Sequence, residues 1–275
     1  MHTGVIHFLS RHDIKAKTML SACYQELSTV VSVHMESLAA AQCVEQHRFD
    51  WRPEVVHTLL LAESHLLTPD CELQTMRGSP YAVTERLLNQ TFARFVYCLG
   101  YGEREFAGPA LPPTAGTWQF WQLFASCVRS PGPGTFAPLQ KGSNPSFAAR
   151  IGAKLSVLEE MLALGIWLVD ASPVALCSPG GARLHQPDYP QILKCSWHNY
   201  VEKLVRDAKP HSIVVIGKDV AQALHGELSR LQNVEVHSVR QPQGCRKPGA
   251  IDEVHATLHR ACHAAARARG VTKDG

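Results

Sequence analysis

Short runs of consecutive apolar residues alternate along the chain with longer segments in which apolar residues recur every three or four positions. The runs have the length of β-strands and cover residues 56–62, 166–169, 212–216 and 234–239. The longer segments predict amphipathic helices over residues 147–162, 192–205, 220–231 and 251–268. Apolar strands that alternate with helices are typical of a parallel sheet covered on both faces. The pattern therefore predicts a three-layer α/β/α sandwich with a central, mostly parallel sheet of about four strands.

The segment before the first strand predicts a helical extension. Between residues 13 and 38, apolar side chains recur with helical spacing, and no strand precedes them. We therefore expect a helical cap packed on the main domain, and we divide the chain into an N-terminal helical extension, residues 1–50, and an α/β domain, residues 51–275. A further helix is predicted over residues 85–97, with Phe92 and Phe95 on its apolar face.

Polar segments follow each of the four predicted strands. They are Glu63-Ser64-His65, Asp170-Ala171-Ser172, Gly217-Lys218-Asp219 and Arg240-Gln241-Pro242-Gln243-Gly244. The carboxyl ends of parallel strands share one edge of the sheet, and this edge is where open α/β sheets bind ligands. We therefore expect these segments to converge on one ligand, although the fold alone does not specify the reaction.

The order and placement of the first and last segments resemble the uracil-DNA glycosylase superfamily. In that family one motif follows the first strand of a four-stranded parallel sheet, and a second, His-Pro-based motif follows the fourth. Ala62-Glu63-Ser64-His65 and Gln241-Pro242-Gln243-Gly244 occupy these two places here, and residues 212–221 look like the penultimate strand and helix start. The resemblance spans roughly residues 55–245 and rests on order and placement more than on identical residues.

The resemblance implies hydrolysis of the N-glycosidic bond of a deaminated or damaged base in DNA. Cleavage leaves a cation-like sugar and an anionic base, so the site needs a carboxylate and a donor that faces the base. By position, Glu63 would orient water or stabilise the sugar cation, and Gln241 stands where the family has its histidine. Because a glutamine amide cannot carry positive charge, His65 or Lys218 would have to supply it.

These assignments give two groups of candidate residues. The expected catalytic residues are Glu63, His65 and Gln241, and the expected substrate-binding residues are Ser64, Asp170, Lys218, Arg240 and Gln243.

Each candidate also has a structural interpretation. Glu63 could be a helix-capping or surface residue, Asp170 could cap the next element together with Ser172, and Lys218 could simply be exposed. His65 is one of 15 histidines, and a single histidine is more often structural. The aromatic cluster of residues 118–121 could stack on bases, but its spacing favours core packing.

Composition excludes several classes of function. No apolar run approaches the roughly 20 residues that span a bilayer, and the N-terminus lacks the pattern of a signal peptide. The 9 cysteines include no CxxC pair, which argues against a zinc ribbon or an iron–sulfur cluster and favours free thiols in a reducing cytosol. We therefore expect a cytoplasmic protein without a membrane partner. No metal or organic cofactor is expected, because water is the nucleophile, and a monomer is favoured.

Two other functions remain open. The formal net charge of +3 permits binding to DNA without requiring it. A catalytically degenerate nucleic-acid-binding or protein-interaction module on the same fold is the main alternative, and it would depend on the basic loop that contains Arg240, Arg246 and Lys247. The third is an α/β hydrolase or transferase that acts on a free nucleotide or nucleoside.

Overall fold

The fold is an α/β/α sandwich, as predicted. The computed structural model describes residues 11–31, 35–74, 76, 90–103, 105, 117–184, 187–245, 247–268 and 270. Its central sheet has four parallel strands, which are β1 Thr58–Ala62, β2 Ile166–Asp170, β3 Ser212–Ile216 and β4 Glu235–Val239. The predicted fold class is therefore confirmed.

Helices of very different length flank this sheet. In the described residues they are α1 Arg11–Val30, α2 Leu38–Asp50, α3 Trp118–Val128, α4 Pro133–Phe136, α5 Phe147–Ala163, α6 Tyr189–Ser196, α7 Glu202–Ala208, α8 Lys218–Ala223, α9 His225–Leu228 and α10 Ala250–Ala268. A π-helical segment, Trp197–Val201, joins α6 to α7. Short 3-10 helices cover Asp70–Glu72, Ala137–Leu139 and Pro242–Gly244.

The strand order is β2-β1-β3-β4, so the direction in which successive strands are added reverses between β1 and β3. β1 pairs with β2 on one side and with β3 on the other, and β4 forms an edge beside β3. The crevice at the carboxyl ends of the strands, next to such a reversal, is the usual ligand site of an open α/β sheet. The segment that follows β1 therefore lies at the most favourable place for a ligand.

Successive side chains of the strands point to opposite faces of the sheet and build two cores. Leu60 and Val214 belong to the core under α3, α5 and α10. Leu61 and Val215 belong to the core on the other face, which α1, α6, α7 and α8 cover. Both faces of the inner strands are thus buried, which explains why their sequences are apolar after the first residue of each, Thr58 and Ser212.

The N-terminal segment forms two helices: α1 is shorter than the helix predicted over residues 13–38, and α2 begins where that prediction ends. α1 ends at Val30, and α2 starts after Ser37, whose Oγ accepts a hydrogen bond of 3.1 Å from the amide of Ala40. An N-cap serine satisfies one of the free amides at the start of a helix, and so it favours a new helix at this point. Both helices pack on the α/β domain, since Leu20 and Ala41 belong to the same core as β1.

The prediction of a helix over residues 85–97 is wrong for residues 90–97, and residues 85–89 lie outside the described part. Residues 90–97 form a bridge and turns, and the amides of Met76 and Phe92 bind the carbonyls of Gln90 and Gln74 at 2.8 and 2.9 Å. Phe92, Phe95 and the residues between and after them are all buried. A segment buried on every side has no polar helix face, so its apolar spacing was misleading.

Two smaller differences concern the last third of the chain. The helix predicted over residues 220–231 is divided into α8 and α9. β4 is more exposed than the apolar pattern indicates, with Val236 41% exposed, because it lies at the edge of the sheet. Within the described ranges no helix is both long and apolar enough for a membrane span.

Candidate functional site

A cavity of about 600 Å³ opens at the carboxyl edge of the sheet, beside the reversal between β1 and β3. Its volume lies within the range of roughly 300–1,000 Å³ that is usual for small-molecule sites. Six of the eight candidate residues line it, namely Glu63, Ser64, His65, Asp170, Gln241 and Gln243. The sequence segments after β1, β2 and β4 therefore converge on one cavity.

Glu63 directly follows β1, and its position is fixed because the backbone hydrogen bonds between β1 and β2 continue beyond the ends of the two strands. The amides of Ala171 and Ser172 donate to the carbonyls of Ala62 and Glu63 at 2.7 and 3.0 Å. The Glu63 side chain is buried and forms a two-point ion pair, because Nε and one terminal nitrogen of Arg183 donate to its two oxygens at 3.1 Å each. Each oxygen retains a lone pair that could accept from a water or a ligand.

Arg183 is the main site residue that sequence reasoning missed. It ends a tight hairpin over residues 177–183, in which the amide of Ser178 donates to the carbonyl of Ala182 at 2.8 Å and Gly181 adopts a positive φ of 83°. A signal was present, because this Pro-Gly-Gly turn lies in the connection that follows β2 and therefore starts from the same sheet edge. A basic residue after such a turn is not specific enough to be selected.

Three neighbours fix the guanidinium of Arg183. Besides Glu63, it donates to Asp219 at 3.0 Å, and its central carbon lies 4.3 Å from the ring centroid of Tyr189. Burial alone would lower the pKa of Arg183, but the hydrogen bond and charge of Glu63 and the hydrogen bond of Asp219 raise it. Arg183 is therefore a permanent cation on the cavity wall.

Gln241 is the second residue after β4, following Arg240, and it immediately precedes the 3-10 turn Pro242–Gly244. Its backbone carbonyl accepts from the amide of Gly244 at 2.9 Å. The side-chain amide makes no hydrogen bond to the part of the chain that the structure describes. Gln241 and the exposed Gln243 therefore present amides that are available to a ligand in the cavity.

His65 is buried between two carboxylates. Its Nε2 donates to Glu36 Oε1 at 2.7 Å, and its Nδ1 lies 3.4 Å from Asp170 Oδ2. Burial would lower the pKa of His65, but the two carboxylates outweigh burial and raise it to about 9. The imidazolium therefore carries charge at neutral pH, but both ring nitrogens are occupied and neither is available to donate to a substrate.

Asp170 belongs to the same buried network and does not cap the next element. Its Oδ2 accepts from Arg48 at 2.7 Å, and Arg48 also pairs with Glu45. The neighbouring Ser172 instead makes a local turn with Val174, whose amide and carbonyl both bind its Oγ. Asp170 thus lines the cavity but is held by protein partners.

Ser64 joins two loops of the site. Its Oγ accepts from the amide of Leu176 at 3.0 Å and donates to the carbonyl of His65 at 3.0 Å. The contact connects the segment after β1 to the connection that carries Arg183. Ser64 therefore holds these two segments of the cavity wall together.

The aromatic cluster serves both the core and the cavity. Trp121 is buried in the core, as the sequence predicts. Trp118 and Phe120 are half-buried and line the cavity together with Phe95. The prediction of core packing is therefore correct for Trp121 and incomplete for the other two. These rings provide flat apolar walls on which a planar ligand could stack.

Lys218 and Arg240 lie outside the main cavity. Both are exposed and line a neighbouring cavity of about 240 Å³, which shares Glu63, Arg183 and Gln241 with the main one. The shared residues form the wall between the two cavities. Of the predicted basic loop, Lys247 is exposed, and Arg246 lies outside the described residues. Within the described ranges, no group of three or more His, Cys, Asp or Glu side chains is arranged so that it could hold a metal ion.

Comparison with known proteins adds no assignment. No model of a protein family matches this chain, and the search of curated proteins gives no match.

Proposed function

We propose that this protein hydrolyses the N-glycosidic bond of a deaminated or damaged base in DNA. The observation that carries the proposal is that Glu63 and Gln241, which follow the first and last strands, line one cavity. If the resemblance to the uracil-DNA glycosylase superfamily holds, these two positions would carry the carboxylate for water or the sugar cation and the donor for the base.

The shape and composition of the cavity support a planar heterocyclic ligand. Phe95, Trp118 and Phe120 provide aromatic surface, and Gln241 and Gln243 provide amide groups that both donate and accept. Enzymes that act on a base within DNA extrude it into such a pocket, where stacking and hydrogen bonds replace those of the duplex. An aromatic cavity with free amides fits this requirement.

The proposed mechanism divides the work between the two ends of the bond. The carboxylate of Glu63 accepts a hydrogen bond from the attacking water and stabilises positive charge on the sugar. Gln241 donates its amide hydrogen to a carbonyl oxygen of the base. The exposed cations Lys218 and Arg240, in the neighbouring cavity, are suited to backbone phosphates beside the extruded nucleotide.

The test is base release from oligonucleotides that contain uracil or another modified base. Wild-type protein should produce abasic sites, and Glu63→Gln, which keeps the shape but removes the charge, should lower the rate about 100-fold or more. Glu160→Gln is the matched control, because Glu160 forms a similar two-point pair with Arg129 away from the cavity. Absence of abasic sites across single- and double-stranded substrates with a panel of modified bases would refute the proposal.

A second candidate is a nucleic-acid-binding module without catalytic activity. The observation that favours it is the pairing of both Glu63 oxygens with Arg183, which reduces the capacity of the carboxylate to act on water. This candidate predicts salt-dependent binding of oligonucleotides, weakened by Arg240→Ala and Lys247→Ala and unchanged by Glu63→Ala, with no base release.

We also propose a cytoplasmic location and a monomer. The location is supported by the cysteines, since all 9 are free thiols, as is typical of proteins in reducing compartments. Size-exclusion chromatography with light scattering tests the monomer.

A further inference from the structure

The proposed reaction creates negative charge on the departing base, and the sequence alone identifies no cation in the cavity that could stabilise it. When the bond between sugar and base breaks, the base leaves as an anion. The uncharged amide of Gln241 stands where the family has its histidine. Of the two cations that the sequence offered, His65 has both ring nitrogens bound to carboxylates, and Lys218 lines only the neighbouring cavity.

Arg183 lines the main cavity, as do Glu63 and Gln241. Three of its five N–H groups donate to Glu63 and Asp219, so two remain for a ligand. The side chain is 28% exposed and is held by Tyr189 under its guanidinium plane. A donor that is already fixed needs no reorganisation as charge develops in the reaction.

Arg94 is the other arginine on this cavity, and its contacts are different. Its Nε and one terminal nitrogen donate to the two oxygens of Glu72 at 2.7 Å each, and Glu72 does not line the cavity. The charge of Arg94 is therefore neutralised by Glu72, a carboxylate that lies outside the cavity. Arg183 instead pairs with the carboxylate of the proposed reaction, and it lines both cavities together with Gln241, the proposed base donor.

We propose that Arg183 contacts the departing base and stabilises the negative charge that develops on it, the role that the resemblance gives to a histidine. This inference rests on the proposed function. As the bond breaks, its electron pair goes to the base nitrogen and positive charge appears on the sugar carbon. Water adds to that carbon and loses its proton to Glu63, which returns it to solvent. Arg183 remains protonated throughout, and the released base takes its proton from solvent.

The test compares the loss of rate on two leaving groups. Arg183→Gln should lower the single-turnover rate of uracil release about 100-fold, as for removal of one preorganised donor. The same variant should lose much less on 5-fluorouracil, because fluorine withdraws electrons and the base leaves with less assistance. For another released base, its electron-poor derivative replaces 5-fluorouracil. Arg183→Lys, which retains the charge, should lie between Arg183→Gln and wild type.

Controls separate this role from simple support of Glu63. Arg129→Gln removes an equally exposed arginine from a similar pair and should leave both rates unchanged. Because loss of Arg183 leaves Glu63 buried without its cation, thermal unfolding of each variant is measured alongside the rates. Millimolar ethylguanidinium should partly restore the activity of Arg183→Ala if this variant is folded.

Each outcome has a defined meaning. A rate loss that is equal on both leaving groups shows that Arg183 acts only through Glu63, and it overturns the inference while the proposed function stands. Unchanged rates in Arg183→Gln, or leaving-group dependence in Arg94→Gln instead, also overturn it. Absence of base release by the wild-type protein removes the proposed function and, with it, the inference.

Discussion

We expect the charge on His65 to make the stability of this protein fall at alkaline pH. In the folded protein the pKa of His65 is raised from 6.5 to about 9 by Glu36 and Asp170, which outweigh burial. A group whose pKa is higher in the folded state stabilises it fully below the unfolded pKa and loses this effect as the pH rises through the folded pKa. The rise from 6.5 to about 9 corresponds to about 3 kcal/mol. This contribution should disappear between pH 6.5 and about 10.

Urea unfolding from pH 6 to pH 10 measures the effect. The free energy of unfolding of wild type should fall by about 3 kcal/mol more than that of His65→Gln over this range, because only wild type loses the imidazolium. His255→Gln is the matched control. Burial lowers the pKa of His255, so its contribution is lost on the acid side and its removal should leave the alkaline slope unchanged. Tyrosine, cysteine and lysine side chains also titrate in this range, but they are present in wild type and in both variants. Their effect therefore cancels when the changes in free energy of unfolding are compared.

A direct measurement completes the test. The imidazole resonances of His65, identified by their absence in His65→Gln, should titrate by NMR with a midpoint near 9. A midpoint near 6.5, or alkaline slopes that coincide in wild type and His65→Gln, would refute the reasoning that a cationic histidine holds the two carboxylates.

Two further substitutions test the fold and the cavity. Gly165→Ala should cost about 2 to 4 kcal/mol of unfolding free energy, because φ is +66° and the new Cβ would lie 2.4 Å from the His57 ring and 2.6 Å from the Val55 carbonyl. Gly152→Ala, in open space on helix α5, should instead stabilise by up to about 1 kcal/mol, and equal effects would contradict this account. Trp118→Ala should raise the KM for base release about 10-fold or more with little change in kcat, and an unchanged KM excludes stacking on this ring.

The fold could be predicted because the burial of the inner strands is visible in their sequences as runs of apolar residues. After their first residues, Thr58 and Ser212, β1 and β3 are apolar, and such runs are typical of parallel strands that helices cover on both faces. The helix ends were less predictable. The start of α2 is fixed by one capping serine, Ser37, and the segment around Phe95 is buried from all sides, which local spacing cannot reveal.

The same reasoning explains which parts of the site were foreseen. Convergence of the segments around Glu63 and Gln241 follows from topology, since both follow parallel strands at one edge. Their partners do not follow from topology. Glu36 precedes α2 and accepts a hydrogen bond from His65, which is 29 positions away in the sequence, and Arg183 lies at the end of a hairpin after β2. Contacts between loops that are distant in sequence depend on tertiary packing and leave no local pattern.

The pair of Glu63 and Arg183 gives the cavity a charge distribution that matches the proposed reaction. Before the reaction the substrate is neutral at the bond that breaks, and the pair contributes no net charge to the cavity. As the bond lengthens, positive charge develops on the sugar and negative charge on the base. A carboxylate alone would stabilise the sugar but repel the departing base, whereas a carboxylate beside a fixed guanidinium can oppose both charges at once. The pairing that weakens Glu63 as an isolated base is therefore compatible with catalysis, and substitutions at Glu63 and Arg183 should be non-additive in a double-mutant cycle.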